Sequence, residues 1–145
     1  MNPIPLTPTQ WPEGLHLACR QLRAHWPTPW PGLPHLLALC QQSLGLNTLS
    51  DPTTAALNQF AQSVAHNMEQ LAAGLGPASE PAYHNRLHTA DVLCVLTTML
   101  HILKVPDADA AGKTWASALL AAAVAHDHQH PGGVNHSAQE FERAY

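Results

Sequence analysis

The sequence predicts an all-α fold, a helical bundle, on three observations. Apolar residues recur at helical spacing over long segments, and proline, glycine and capping residues punctuate those segments. No stretch alternates with period two for long enough to build a sheet. The 145 residues suit one domain with a real core, and 46% hydrophobic against 11% charged residues argues for a globular chain rather than a disordered tail.

Eight of the thirteen prolines lie at or before Pro34, so residues 1–50 read as a Pro-rich segment with short helices. The first helix is expected over about Pro12–His25 and the second from about Pro34. Between them, Trp26-Pro27-Thr28-Pro29-Trp30-Pro31-Gly32 is an extended connection, because proline removes N–H donors and fixes φ. Ser50 or Asp51 followed by Pro52 marks the next helix start, a capping side chain before proline at the first position. Leu57, Phe60, Ala61, Val64, Met68, Leu71 and Leu75 fit one face of that helix, which Gly74, Gly76 and Pro77 end. A loop, Ala78–Ala82, leads to a helix over about Tyr83–Leu103, and Pro106, Asp107 and Asp109 break the chain again. Lys113–His128 is so apolar that it requires protein on nearly every side.

Composition excludes several classes of function. A formal charge of -4 removes the electrostatic basis for binding nucleic acid or anionic lipid, while a small phosphate substrate stays compatible if a divalent metal reverses the local sign. Cys19, Cys40 and Cys94 are an odd number without C-x-x-C spacing, which argues against a disulfide framework or a thiolate zinc site and makes a reducing cytoplasm the expected compartment. The longest apolar run, Trp115–Ala125, falls short of the roughly 20 residues of a membrane span. Residues 1–12 hold four prolines and no basic residue, unlike a secretory signal.

Five of the eleven histidines fall in two short stretches. In Tyr83-His84-Asn85-Arg86-Leu87-His88-Thr89-Ala90-Asp91-Val92, positions 84, 88 and 91 would lie at roughly 0°, 40° and 340° of a helical wheel, placing both imidazoles and the carboxylate on one face. Leu87, Val92, Val95 and Leu96 would pack around it. Such a histidine pair can chelate one metal, or one ring can bind metal while its neighbour handles a proton; Asp91 can orient a ring nitrogen from behind. Two partly exposed histidines and a solvated aspartate would give the same string.

The second stretch, His126-Asp127-His128-Gln129-His130-Pro131-Gly132-Gly133-Val134-Asn135, follows directly on the apolar helix. It occupies a helix C-terminus, where free carbonyls and the macrodipole favour a cation. A His-Asp pair suits a two-metal centre, since the imidazole holds one ion and the carboxylate oxygens can contact both. The alternative is a polar helix end with a histidine-rich turn. Burial of the apolar lead-in brings that end near the core, where polar groups require partners, and so favours metal binding.

Together the two stretches resemble the class I 3',5'-cyclic-nucleotide phosphodiesterases, members of the HD-type metal-dependent phosphohydrolases. That family carries Y-H-N-x-x-H-x-x-D-V and then H-D-x-x-H-P-G-x-x-N, met here by Tyr83–Val92 and His126–Asn135. The resemblance runs from about Leu57 to Asn135, which makes residues 51–145 an N-terminal half of such a catalytic domain. It implies that His84 is the general acid for the leaving O3′, and that His88, His126 and Asp127 bind a first, zinc-like metal. Asp127 would bridge to a second ion, magnesium or manganese. His130 would sit beside the metal-bound waters and Tyr83 would line the nucleotide pocket, while Asn135 matches the motif with its role open. The implied reaction turns a cyclic nucleotide, cAMP or cGMP, and water into the nucleoside 5'-monophosphate.

In the family, the later half adds a metal-binding aspartate and the glutamine that holds the base; no residue after Asn135 matches either. Another HD-superfamily phosphohydrolase, or a non-catalytic helical metal-binding or interaction module, would share the bare histidine–aspartate pattern. With the later half absent, an uncovered apolar surface is expected, and with it self-association or pairing with that half.

Overall fold

The computed structural model describes residues 11–25, 32–48, 50–75, 81 and 83–129. Among these are five α-helices, one 3-10 turn and no strand, as the hydrophobic periodicity predicts. They are α1 (Trp11–His25), α2 (Gly32–Ser43), α3 (Pro52–Leu75), α4 (Arg86–Ile102) and α5 (Ala110–Ala125), with the 3-10 turn at Val105–Asp107. The extended connection expected before Gly32, most of the loop at 78–82, and His130 and Asn135 lie outside the described residues.

Local chemistry sets the helix ends. Asp51 caps α3, its Oδ2 accepting the Thr54 N–H at 2.7 Å while Pro52 takes the first position. Asp109 caps α5, accepting from Gly112 N at 2.9 Å. α2 ends in a Schellman motif: Leu46 N–H reaches Gln41 O at 2.9 Å and Gly45 N–H reaches Gln42 O at 3.0 Å. Gly45 supplies the left-handed residue, φ 67°, that this turn needs.

One core joins all five helices. Leu15 and Ala18 of α1, Leu33, Leu36 and Leu37 of α2, Ala61 and Ala65 of α3, Ala90 and Leu93 of α4, and Leu120 and Val124 of α5 belong to it. α3 and α5 make the most extensive helix pair. Small residues face each other there, Ala61 and Ala65 against an alanine-rich partner, so the backbones approach closely. A Thr54–Thr114 hydroxyl hydrogen bond of 2.8 Å also ties the two helices.

Three expectations about burial need correction. Phe60 and Leu71 point outward, 52% and 38% exposed, and the inward face of α3 is completed by Ala65 and Ala72. Alanines win those positions because a phenylalanine would hold the neighbouring helix away. Trp115 and Ala122 of α5 are exposed, so one side of that helix lies open. Val95 does not pack around the histidines; with Met99 and Ile102 it forms an exposed apolar stripe on α4, at successive helical turns.

Arg86 and Glu69 form a buried ion pair in the polar interior. Arg86 Nη1 lies 2.5 Å from Glu69 Oε2, with side chains only 1% and 9% exposed. The other carboxylate oxygen accepts the Leu33 N–H at 3.2 Å, near the start of α2. One carboxylate thus joins three helices, and favourable charge at a helix N-terminus accompanies the ion pair.

Candidate metal centre

The first motif divides at Asn85. α4 begins at Arg86 rather than Tyr83, because Asn85 is its N-cap, with extended backbone at φ −132° and ψ 178°. Asn85 Oδ1 accepts the N–H groups of Leu87 (2.9 Å) and His88 (3.0 Å), and its Nδ2 donates to Pro81 O at 3.0 Å. His88 therefore sits in the first turn of a capped helix, while His84 stands on the turn before it. The shared wheel face expected for His84, His88 and Asp91 does not exist.

His84 reaches the centre from that turn, and Asp91 does not. Asp91 is half-exposed and pairs with Arg23 of α1. It points away from His88 towards the neighbouring helix, which corrects its expected place behind a ring nitrogen. Tyr83 is 64% exposed, and its ring lies against His88 at 4.4 Å between centroids and edge-on to His84 at 5.1 Å.

α5 ends at Ala125, and His126–Gln129 form the turn after it, so the helix stops short of the expected His128. That turn delivers Asp127 to the first motif. Its Oδ2 lies 2.9 Å from His84 Nδ1, 3.0 Å from His126 Nε2 and 3.3 Å from His88 Nε2. The Asp127 side chain is 8% exposed, whereas the rings around it are 21% to 37% exposed. Burial pushes its carboxyl pKa up, but contact with His84 and the charges of His126, His84 and His88 outweigh this and hold it below the ordinary value.

The donor set fits a cation. His126 Nδ1 lies 2.7 Å from Ala123 O, and a carbonyl only accepts, so Nδ1 carries the proton. In the neutral ring Nε2 is then a bare lone pair. It faces His88 Nε2 at 3.4 Å and the Asp127 carboxylate. Ligand atoms of His88, His126 and Asp127 all lie within 4.8 Å of one another. Electron-rich atoms converging like this repel unless a positive charge lies among them, and anchoring a ligand histidine through its second nitrogen to a backbone carbonyl is the usual support. The Ala123 carbonyl is free for this because it belongs to the last turn of α5.

Sequence reasoning passed over Asn85, Arg86 and Glu69 as contributors. Asn85 carried a readable signal, being a preferred N-cap residue immediately before an apolar-periodic segment. Arg86 and Glu69 carried none, since their pairing is tertiary.

The fold and the centre define an all-α protein with a histidine–aspartate group able to hold a divalent cation. Residues 83–143 match the 3'5'-cyclic nucleotide phosphodiesterase family model, so this stretch is similar to part of such a catalytic domain. Both motifs lie inside the match; α1, α2 and α3 precede it. Neither curated proteins nor solved structures gave a match to the chain.

Proposed function

We propose that the chain takes part in metal-dependent hydrolysis of a 3',5'-cyclic nucleotide, with His88, His126 and Asp127 holding a divalent ion and His84 serving as proton donor. The observation that carries this reading is the convergence of three imidazoles, from two separate motifs, on the single buried carboxylate oxygen of Asp127. A divalent cation in such a site supplies phosphoryl charge neutralisation and water activation near neutral pH; zinc with magnesium or manganese is the pairing the family resemblance suggests. His84 is not in the group of three whose ligand atoms all lie within 4.8 Å of one another, and its Nδ1 meets the Asp127 carboxylate at 2.9 Å. Its Nε2, on the far side of the ring from that contact, would give a proton to the departing ribose oxygen. Tyr83, stacked on His88 and largely exposed, offers an aromatic surface beside the rings for the nucleotide.

The test begins with metal. Wild type incubated with zinc or manganese and then desalted should retain at least one ion, and Asp127→Ala should retain none. Wild type assayed with cAMP and cGMP in added manganese should release the corresponding 5'-monophosphate. Retained metal without turnover of either nucleotide would favour the non-catalytic metal-binding module; equal, near-zero metal in both proteins would remove the proposal altogether.

A further inference from the structure

We propose that the outward face of the α4–α5 hairpin is a dimer interface, covered by the same face of a second copy of this chain. The two helices run antiparallel. The link through the 3-10 turn joins them at one end, and His88 of α4 meets His126 of α5 at 3.4 Å at the other. With about 100° of rotation per residue, Val95, Met99 and Ile102 fall within about 40° of His88 around α4. Trp115, Leu119 and Ala122 fall within about 40° of His126 around α5. The two rows make one apolar strip that runs about 20 Å from the histidines along the hairpin. Its large side chains are uncovered: Val95, Met99, Ile102, Leu103 and Trp115 are between 53% and 74% exposed.

Area and charge both point to a second copy. Those five side chains leave roughly 600 Å² of apolar surface open, the upper end for the largest patch on an ordinary monomer. Pairing two copies removes about 1,200 Å² from water, which reaches the range of specific interfaces. Neither 92–103 nor 114–126 contains Asp, Glu, Lys or Arg. The strip can therefore meet its own copy without opposing like charges, and nothing on it selects a charged partner or an anionic lipid surface.

The strip is also self-complementary in shape. α4 presents bulky side chains, Met99 and Ile102, whereas α5 presents the small Ala118 and Ala122 toward its His126 end. A two-fold axis across the hairpin turns one copy end for end, so that the Ile102 end of each α4 lies over the Ala122 end of the other copy's α5. Bulky side chains then fill the space the alanines leave, twice per dimer, and the four helices pack as a bundle.

Sedimentation velocity with light scattering on the full chain tests this, run in EDTA so that the outcome does not depend on a bound metal. The expected result is a dimer with a dissociation constant of about 10 µM or tighter, within the span of interfaces of this size. Ile102→Glu and Trp115→Glu, on different helices, should each weaken the dimer at least about tenfold, with helix content by circular dichroism unchanged. Phe60→Glu, at an exposed position on α3, should leave it intact. Ile102 is the most exposed of the five, so its variant decides the matter if Trp115→Glu unfolds. A wild-type chain still monomeric at about 100 µM would overturn the proposal and leave the strip to a different protein surface. A dimer indifferent to Ile102→Glu, one broken equally by Phe60→Glu, or open-ended aggregation in place of a dimer would each overturn it as well.

Discussion

Arg86 lies between the two histidines of the first motif, and its guanidinium is buried against Glu69 of α3. The ion pair fixes the first residue of α4, so the positions of His84 on one side and His88 on the other depend on a carboxylate remote in sequence.

Arg86→Met should therefore destabilise the fold by about 3–5 kcal/mol, because it leaves the Glu69 carboxylate buried without its charge partner. The double variant Arg86→Met with Glu69→Leu should be less unstable than Arg86→Met alone. It still loses the acceptor for Leu33 N–H, a cost of about 1–3 kcal/mol. Urea unfolding of the three proteins tests this, and a single-variant loss below about 1 kcal/mol would contradict it.

Asn85→Ala should cost about 0.5–2 kcal/mol through loss of the α4 cap. Asn85→Asp keeps the acceptor for Leu87 and His88 but gives up the donation to Pro81 O. If the side chain acts on the centre by orienting the turn as well as by capping, the aspartate variant should regain most stability yet bind metal more weakly than wild type. Isothermal titration with zinc, set beside thermal melts, separates the two contributions; equal metal affinity in wild type and Asn85→Asp would leave capping as the whole effect.

His84 and His126 should separate by function. In a catalytically competent preparation, His84→Ala should lower cyclic-nucleotide turnover by ~10²–10⁴-fold while metal content stays near wild type. His126→Ala should lose metal. Elemental analysis beside a turnover assay distinguishes them, and metal loss in His84→Ala would make His84 a ligand instead of a proton donor.

His101, near the end of α4, bonds Ser43 Oγ at 3.2 Å, and burial lowers its pKa. The folded protein then binds this proton less readily than the unfolded chain, so stability from this group is complete above the ordinary histidine value of about 6.5. It falls as pH drops below that value, until the lowered folded value is passed. His101→Gln should flatten part of the acid loss of stability between pH 7 and 5. Superimposable pH profiles of unfolding midpoints for variant and wild type would exclude the contribution.

Much of the helical architecture was legible because its signals are local. Pro52 after Asp51 located α3, and the apolar run before His126 located α5. The proximity of His88, His126 and Asp127 is in keeping with the two motifs, H-x-x-x-H and H-D, that single these residues out in the sequence. Legibility ended where packing decides. Phe60 outranks Ala65 on any hydrophobic scale, yet Ala65 faces the core because the α3–α5 seam rewards small size. Asp91 sits one turn from His88, but Arg23 of α1 captures it, and no local pattern announces a partner so far away. As a string the first motif is compatible with one continuous helix, since His84, Asn85 and Arg86 all tolerate helical geometry. The capping by Asn85, which breaks that continuity, frees His84 to approach Asp127 from a different direction than His88.

The buried Arg86–Glu69 contact also means that the boundary of the chemistry is not the boundary of the fold. Among the described residues, the candidate ligands His88, His126 and Asp127 fall within the family-matched stretch, but α2 and α3 supply core residues and the Glu69 counterion packed against it. An excised segment beginning at Tyr83 would keep every donor and still bare the inner side of α5 at Leu120 and Val124. It would also carry a cationic first turn with no anion behind it. The earlier helices thus supply a counterion, Glu69, and a shared core for the stretch that carries these histidines.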